Sequence, residues 1–147
     1  MSDLRDLYEE VILDHNRNPR NFLNKPDGTN RKAHGFNPLC GDEFALHLVV
    51  EDGIIKDVGF EGTGCAISTA SASLMTEAIK GKTEEEAYAL FDKIHKLLLQ
   101  EDRSADVGKL AVLAGVHAYP TRVKCATLAW HTLHAALESE NKTVTTE

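Results

Sequence analysis

A chain of 147 residues, 42% apolar and 27% charged, has the make-up of a globular domain long enough to bury a sizeable core. Its net charge of −7 argues against nucleic acid or an anionic membrane as a partner, because binding phosphates takes a concentrated positive face. No apolar run approaches the roughly 20 residues that cross a bilayer, and Met1-Ser2-Asp3-Leu4-Arg5 lacks the basic flank and apolar core of a secretion signal, so we expect a cytoplasmic protein.

Leu4, Leu7, Tyr8, Val11 and Ile12 recur at helical spacing and predict an N-terminal helix that ends at Asn18-Pro19, where proline cannot continue the ladder. His15, in its last turn, reads as a helix-end histidine favoured by the dipole and not as a ligand. Pro26, Asp27 and Gly28 mark a surface turn, and Arg31 to Phe36 a short extended segment. Phe44, Leu46, Leu48 and Val50 alternate with Ala45, His47 and Val49 in a strand, with His47 expected at the surface or an edge. Asp52-Gly53 signals a hairpin, and Ile54 to Phe60 is the returning strand, with Ile54, Val58 and Phe60 on a shared face.

Gly62 and Gly64 give the backbone freedom to turn sharply before Cys65. Ala66 to Lys80, rich in alanine and serine, predicts a helix closed at Gly81. Thr83 and Glu86 form a capping box opening a helix with Leu90, Phe91, Ile94, Leu97 and Leu98 on one side and His95 toward solvent. Gln100 to Asp106 reads as a loop, and Leu110, Val112, Leu113 and Val116 as a shorter helix broken at Gly115. Pro120 suits the first turn of a last helix striped by Ala126, Ala129, Trp130, Leu133 and Leu137. His131 and His134 fall on its other faces and are not counted as ligands. Residues 139–147 read as a disordered tail, leaving 1–138 as a single domain.

Three cysteines, Cys40, Cys65 and Cys125, are an odd set for a compartment where disulfides are rare, which favours metal binding or thiol chemistry. Any one of them alone reads as a small buried apolar residue. Their neighbours change that reading. Asn37-Pro38-Leu39-Cys40-Gly41-Asp42 holds a thiol and a carboxylate in a turn, free of any helix or strand face, so both can aim at one spot. Cys65 and Cys125 are placed at helix starts, where free amides favour the thiolate form.

We read all three thiols and Asp42 as converging on one ion. Three thiolates and a carboxylate supply the four ligands zinc takes. Arg122 or Lys124 is placed to balance the surplus negative charge. The long separations, from position 40 to 65 and from 65 to 125, do not match the paired ligands of a zinc finger. A catalytic Cys/His pair competes on spacing alone, although no histidine stands out as its partner.

Asn37-Pro38-x-Cys40-Gly41-Asp42, Gly-x-Gly-Cys65 before a Ser/Ala-rich helix, and Arg122-Val123-Lys124-Cys125-Ala126-Thr127-Leu128-Ala129-Trp130 together resemble the U-type iron–sulfur cluster assembly proteins, IscU and SufU, also called the NifU N-terminal-like family. The resemblance runs from the Leu7-Tyr8 helix to Trp130. Lys124 stands where the IscU branch has a histidine, and the connection from Cys65 to Cys125 is longer, so the chain looks most like the SufU branch. The segment Tyr119-Pro120-Thr121-Arg122-Val123-Lys124 departs from the IscU chaperone-recognition motif.

The resemblance implies an α+β fold, a small antiparallel sheet packed on one face by several helices, SufE/NifU-like. It also implies zinc held by Cys40, Asp42, Cys65 and Cys125, and sulfur accepted onto Cys40 from the persulfide of a SufS-like cysteine desulfurase. Downstream partners would be a cluster scaffold or apo-protein acceptors. The alternative is a scaffold for a [2Fe-2S] cluster, since thiolates bind iron–sulfur clusters as readily as zinc. A purely structural zinc site is the least favoured, because the apolar stripes should fold a domain of this size without a metal staple.

Overall fold

The computed structural model describes residues 2–37, 41–99, 110, 113, 120–138 and 142–145. Helix α1 (Ser2–Arg17) leads into strands β1 (Arg31–Asn37), β2 (Asp42–Glu51) and β3 (Ile54–Thr63). Helices α2 (Ala66–Ile79), α3 (Glu84–Leu98) and α4 (Pro120–Glu138) follow, and strand β4 (Lys142–Thr145) comes last. The sheet order is β3-β2-β1-β4, antiparallel except for the parallel β1–β4 pair. This is the α+β architecture that the sequence led us to expect.

Period-two patterning decides which face of the sheet is buried. Ala33, Gly35 and Asn37 of β1 are buried while His34 and Phe36 are exposed. Their β2 partners Leu46, Phe44 and Asp42 share the buried face, and α4 packs on it. Gly35 makes room for that packing: a Cβ would meet Thr132 Oγ1 and come within 3.1 Å of Leu128 Cδ1. Trp130, Phe44, Phe60, Leu46, Leu74 and Met75 fill the core between sheet and helices. Each such side chain contributes about 1.5–3 kcal/mol by leaving water.

The serines that weaken α2 as an isolated helix act as its attachments. Ser71 Oγ donates to Ala126 O at 2.6 Å and accepts from Trp130 Nε1 at 3.2 Å. Ser73 Oγ accepts the Arg20 N–H at 2.8 Å and meets His15 Nδ1 at 2.7 Å. Small hydroxyls let the helix come close to its neighbours and satisfy the polar groups buried by doing so. His15, in the last turn of α1 as expected, is fully buried and bonded across to α2.

The residues between α1 and β1 form a strap along the outer edge of β3. Leu23 N–H donates to Phe60 O at 2.7 Å, Phe60 N–H to Asn21 O at 3.1 Å, and Asn24 Nδ2 to Val58 O at 3.0 Å. That covers a sheet edge which would otherwise offer unpaired backbone groups.

Four expectations change. A bulge between Val49 and Val50 leaves Lys56 unpaired in β3, so Val50 faces Ile55 while Val49 faces Asp57. Ile55, not Ile54, therefore joins Val58 and Phe60 in the core. His47 is buried and its Nε2 lies 3.3 Å from Glu61 Oε1. His95 is half-buried, stacked on Phe91 with centroids 5.8 Å apart. Lys142–Thr145, inside the stretch expected to be a disordered tail, pairs with β1 from Ala33 to Phe36. Unpaired β1 backbone there outweighs the low apolar content of the segment. Leu110 and Leu113 are buried as expected of a short apolar element; Val112, Gly115, Val116 and the loop at 100–106 lie outside the described residues.

The capping box at α3 is complete: Glu86 N–H donates to Thr83 Oγ1 at 3.1 Å and Thr83 N–H to Glu86 Oε1 at 3.0 Å. Thr83→Ala is expected to cost about 1 kcal/mol, read as a drop in melting temperature of roughly 3 °C. An unchanged melting curve would show that α3 is held by packing alone.

Candidate metal centre

Strand register brings the site together. The β1–β2 ladder closes at Asn37 opposite Asp42, and Gly41, at φ 73°, donates its N–H to Asn37 O at 2.8 Å. A left-handed conformation of that kind favours glycine. Asp42 begins β2 on its helix-facing side. The β2–β3 ladder pairs Glu43 with Thr63, so Cys65, two residues on, arrives beside Asp42.

Gly62 and Gly64 serve this approach more than a turn, since β3 runs on to Thr63. At Gly62, φ is 133° and a Cβ would strike Glu43 O of β2; at Gly64 it would lie 2.9 Å from Phe44 Cζ and 3.2 Å from Asp42 Oδ1.

Cys65 is the N-cap of α2, with its sulfur 3.5 Å from the Ser68 N–H, and it is partly exposed. Asp42 is fully buried. Its Oδ1 accepts the Cys65 N–H at 2.9 Å, and its Oδ2 accepts the Ser68 hydroxyl at 2.6 Å. Cys125 is also fully buried, and its sulfur lies 3.8 Å from Asn37 Nδ2. It sits five residues after Pro120, inside α4. The helix-start amides that favour a thiolate at Cys65 are therefore not available to Cys125, contrary to expectation.

One ligand atom each from Asp42, Cys65 and Cys125 lie within 4.8 Å of one another. Tetrahedral zinc with bonds of about 2.0–2.3 Å holds its ligands roughly 3.3–3.8 Å apart, so small side-chain rotations would bring the three into range. Among the described residues this is the one group of three or more His, Cys, Asp or Glu that could hold a metal. It contains no histidine, which weakens the Cys/His alternative.

Cys40, two positions before Asp42, and the Arg122 side chain lie outside the described residues; Lys124 is half-buried. His131 and His134 lie elsewhere, around Phe91 between α3 and α4. Burial, and then His95 and His134, hold His131 below the ordinary histidine value. Sequence reading missed Ser68 as a partner of Asp42 and gave Asn37 no role; with Thr69, Ser71 and Ser73 following it, nothing in the sequence sets Ser68 apart.

Fold and site together define an α+β domain built around a mixed thiol–carboxylate centre. The chain belongs to the NifU-like N-terminal domain family, whose model matches residues 7–126. It is 42% identical, over 95% of either chain, to the Bacillus subtilis protein named zinc-dependent sulfurtransferase SufU. It is 45% identical to the Thermotoga maritima iron–sulfur cluster assembly scaffold protein IscU, over 90% of this chain and 93% of that one.

Among solved structures, a Fervidobacterium islandicum protein described as a candidate iron–sulfur cluster assembly scaffold for the SUF system superposes with a TM-score of 0.83 at 36% identity. That match covers 87% of this chain and 94% of the other. The N-terminal part of a Brucella abortus NifU-like protein shares the fold, with a TM-score of 0.81 at 24% identity over 92% of this chain and 94% of that one. No helix among the described residues is long and apolar enough to cross a membrane.

Proposed function

We propose that the protein serves iron–sulfur cluster assembly as a zinc-dependent sulfurtransferase, taking sulfur from the persulfide of a SufS-like cysteine desulfurase onto Cys40. The observation that carries this reading is the convergence of Asp42, Cys65 and Cys125, in a chain that aligns almost end to end with a relative named for that activity. The donor set fits: soft sulfurs with one oxygen suit zinc.

Asp42, Cys65 and Cys125 would anchor the ion, with Cys40 as the fourth ligand. When bound, zinc keeps the thiols deprotonated and shielded from oxidation. Arg122 and Lys124 would offset the negative charge of the ligand set. Cys40 is the thiol we assign to transfer, because the sequence Asn37-Pro38-Leu39-Cys40-Gly41 reads as a turn and not as a helix, so its release from the ion would disturb no helix. Its thiolate attacks the outer sulfur of the desulfurase persulfide. A new S–S bond forms, the old one breaks, and the desulfurase cysteine leaves as thiolate. The persulfide now on Cys40 passes to a downstream scaffold or apo-protein, in the reducing cytoplasm where such thiols survive.

A second reading, assembly of a [2Fe-2S] cluster on the same ligands, is favoured by the likeness to the Thermotoga maritima scaffold protein. Metal analysis after anaerobic purification separates the two. One zinc per chain and faster desulfurase turnover support sulfur transfer; a coloured cluster that passes to an acceptor supports the scaffold. Asp42→Ala is expected to weaken zinc binding by at least ~100-fold, beyond the range typical of groups that only support a ligand. Wild-type affinity in that variant would remove Asp42 from the ligand set.

A further inference from the structure

We infer that Ser68 is the positioning residue of this centre: its hydroxyl fixes the Asp42 carboxylate of β2 against the start of α2, where Cys65 lies. The inference rests on the metal-site reading above and extends it to a residue with no ligand atom for the ion.

Ser68 is fully buried and touches all three ligands that the structure describes. Its Oγ is 2.6 Å from Asp42 Oδ2 and 3.1 Å from Cys125 O, and its N–H points at Cys65 Sγ from 3.5 Å. A hydroxyl has one proton, and the shorter distance assigns it to the carboxylate. The Cys65 N–H holds the other oxygen, Oδ1, at 2.9 Å. Rotation of the carboxylate about Cβ–Cγ, otherwise soft, is thereby fixed, and each oxygen keeps a lone pair for a cation.

The chain supplies its own control. Ser71, one turn further along α2, is equally buried and bonds Ala126 O and Trp130 Nε1, but neither of those is a ligand atom. A serine that merely packs α2 against α4 would behave as Ser71 does.

The test measures zinc affinity by competition with a chromophoric chelator in wild type, Ser68→Ala, Ser71→Ala, Asp42→Ala and the Ser68→Ala/Asp42→Ala double variant. Metal-free melting temperatures are recorded alongside. Ser68→Ala is expected to weaken zinc by about 10- to 100-fold and to shift the ligand-field bands of the cobalt-substituted protein. Ser71→Ala should lower the melting temperature and leave the affinity within twofold of wild type.

In the Asp42→Ala background the Ser68 substitution should add no further loss, because its target is gone. Wild-type affinity in Ser68→Ala, equal losses in the two serine variants, or fully additive loss in the double variant would each overturn the inference. So would a wild-type chain that takes up neither zinc nor cobalt, which would also remove the metal-site reading. A chain that binds zinc but accepts no sulfur would defeat the proposed function and leave the Ser68 result standing.

Discussion

Cys40→Ala is expected to lower sulfur acceptance from a cysteine desulfurase by about 10³-fold or more, as loss of a nucleophile does, while zinc still copurifies. The two halves of that result have separate causes. Asp42, Cys65 and Cys125 are brought together by strand register, a helix cap and a helix interior, none of which depends on the Cys40 side chain. Mass spectrometry of the chain after incubation with the persulfide form of the desulfurase reads the transfer as the added mass of one sulfur. Transfer at the wild-type rate would pass the acceptor role to Cys65, the partly exposed thiol at the start of α2.

Gly59→Ala carries the largest expected effect on stability. A Cβ at Gly59 would strike the carbonyl oxygen of Asn24 and lie 2.6 Å from its carbonyl carbon. Those are backbone atoms of the strap along β3 and cannot rotate away. Accommodating a methyl means lifting the strap, with loss of the Leu23–Phe60 and Asn21–Phe60 backbone bonds. Overpacking and two broken bonds together cost about 3 kcal/mol, or roughly 10 °C in melting temperature. A thermal melt within about 2 °C of wild type would show that the strap is held less tightly than its bonds imply.

Much of the fold was legible because local chemistry and global packing agree. Asp52 and Gly53 both adopt positive φ, 54° and 76°, as their hairpin signal requires. The Thr83/Glu86 pair capped α3, and the apolar stripe after Pro120 became the buried side of α4. Where tertiary context decides, the pattern failed. The bulge beside Val49 shifts parity in β3, and nothing local to Ile54-Ile55 shows which isoleucine will face inward. His47 looks like a surface residue, and His15 gives no sign of its depth, because their partners, Glu61 and Ser73, are distant in sequence. β4 is short and nearly without apolar residues, but Thr143-Val144-Thr145 is a β-branched run that suits the open edge of β1.

The site divides in the same way. Asp42, Cys65 and Cys125 were identifiable by residue type and neighbourhood, and the structure brings them together. The depth of Cys125 in its helix was misjudged: with Pro120 as the first helical residue, a position five residues on is already past the free amides of the helix start. Ser68 was hidden among the other serines of α2. Its role appears only when β2 and α4 are packed against that helix, so no periodicity could single it out.

The hydrocarbon interior around Trp130, Phe44 and Phe60 is assembled from side chains other than those that gather at the Asp42 carboxylate. An ion held at that carboxylate could therefore bind and leave without unmaking the interior, unlike in small metal-stapled modules whose shape exists only while the metal is bound.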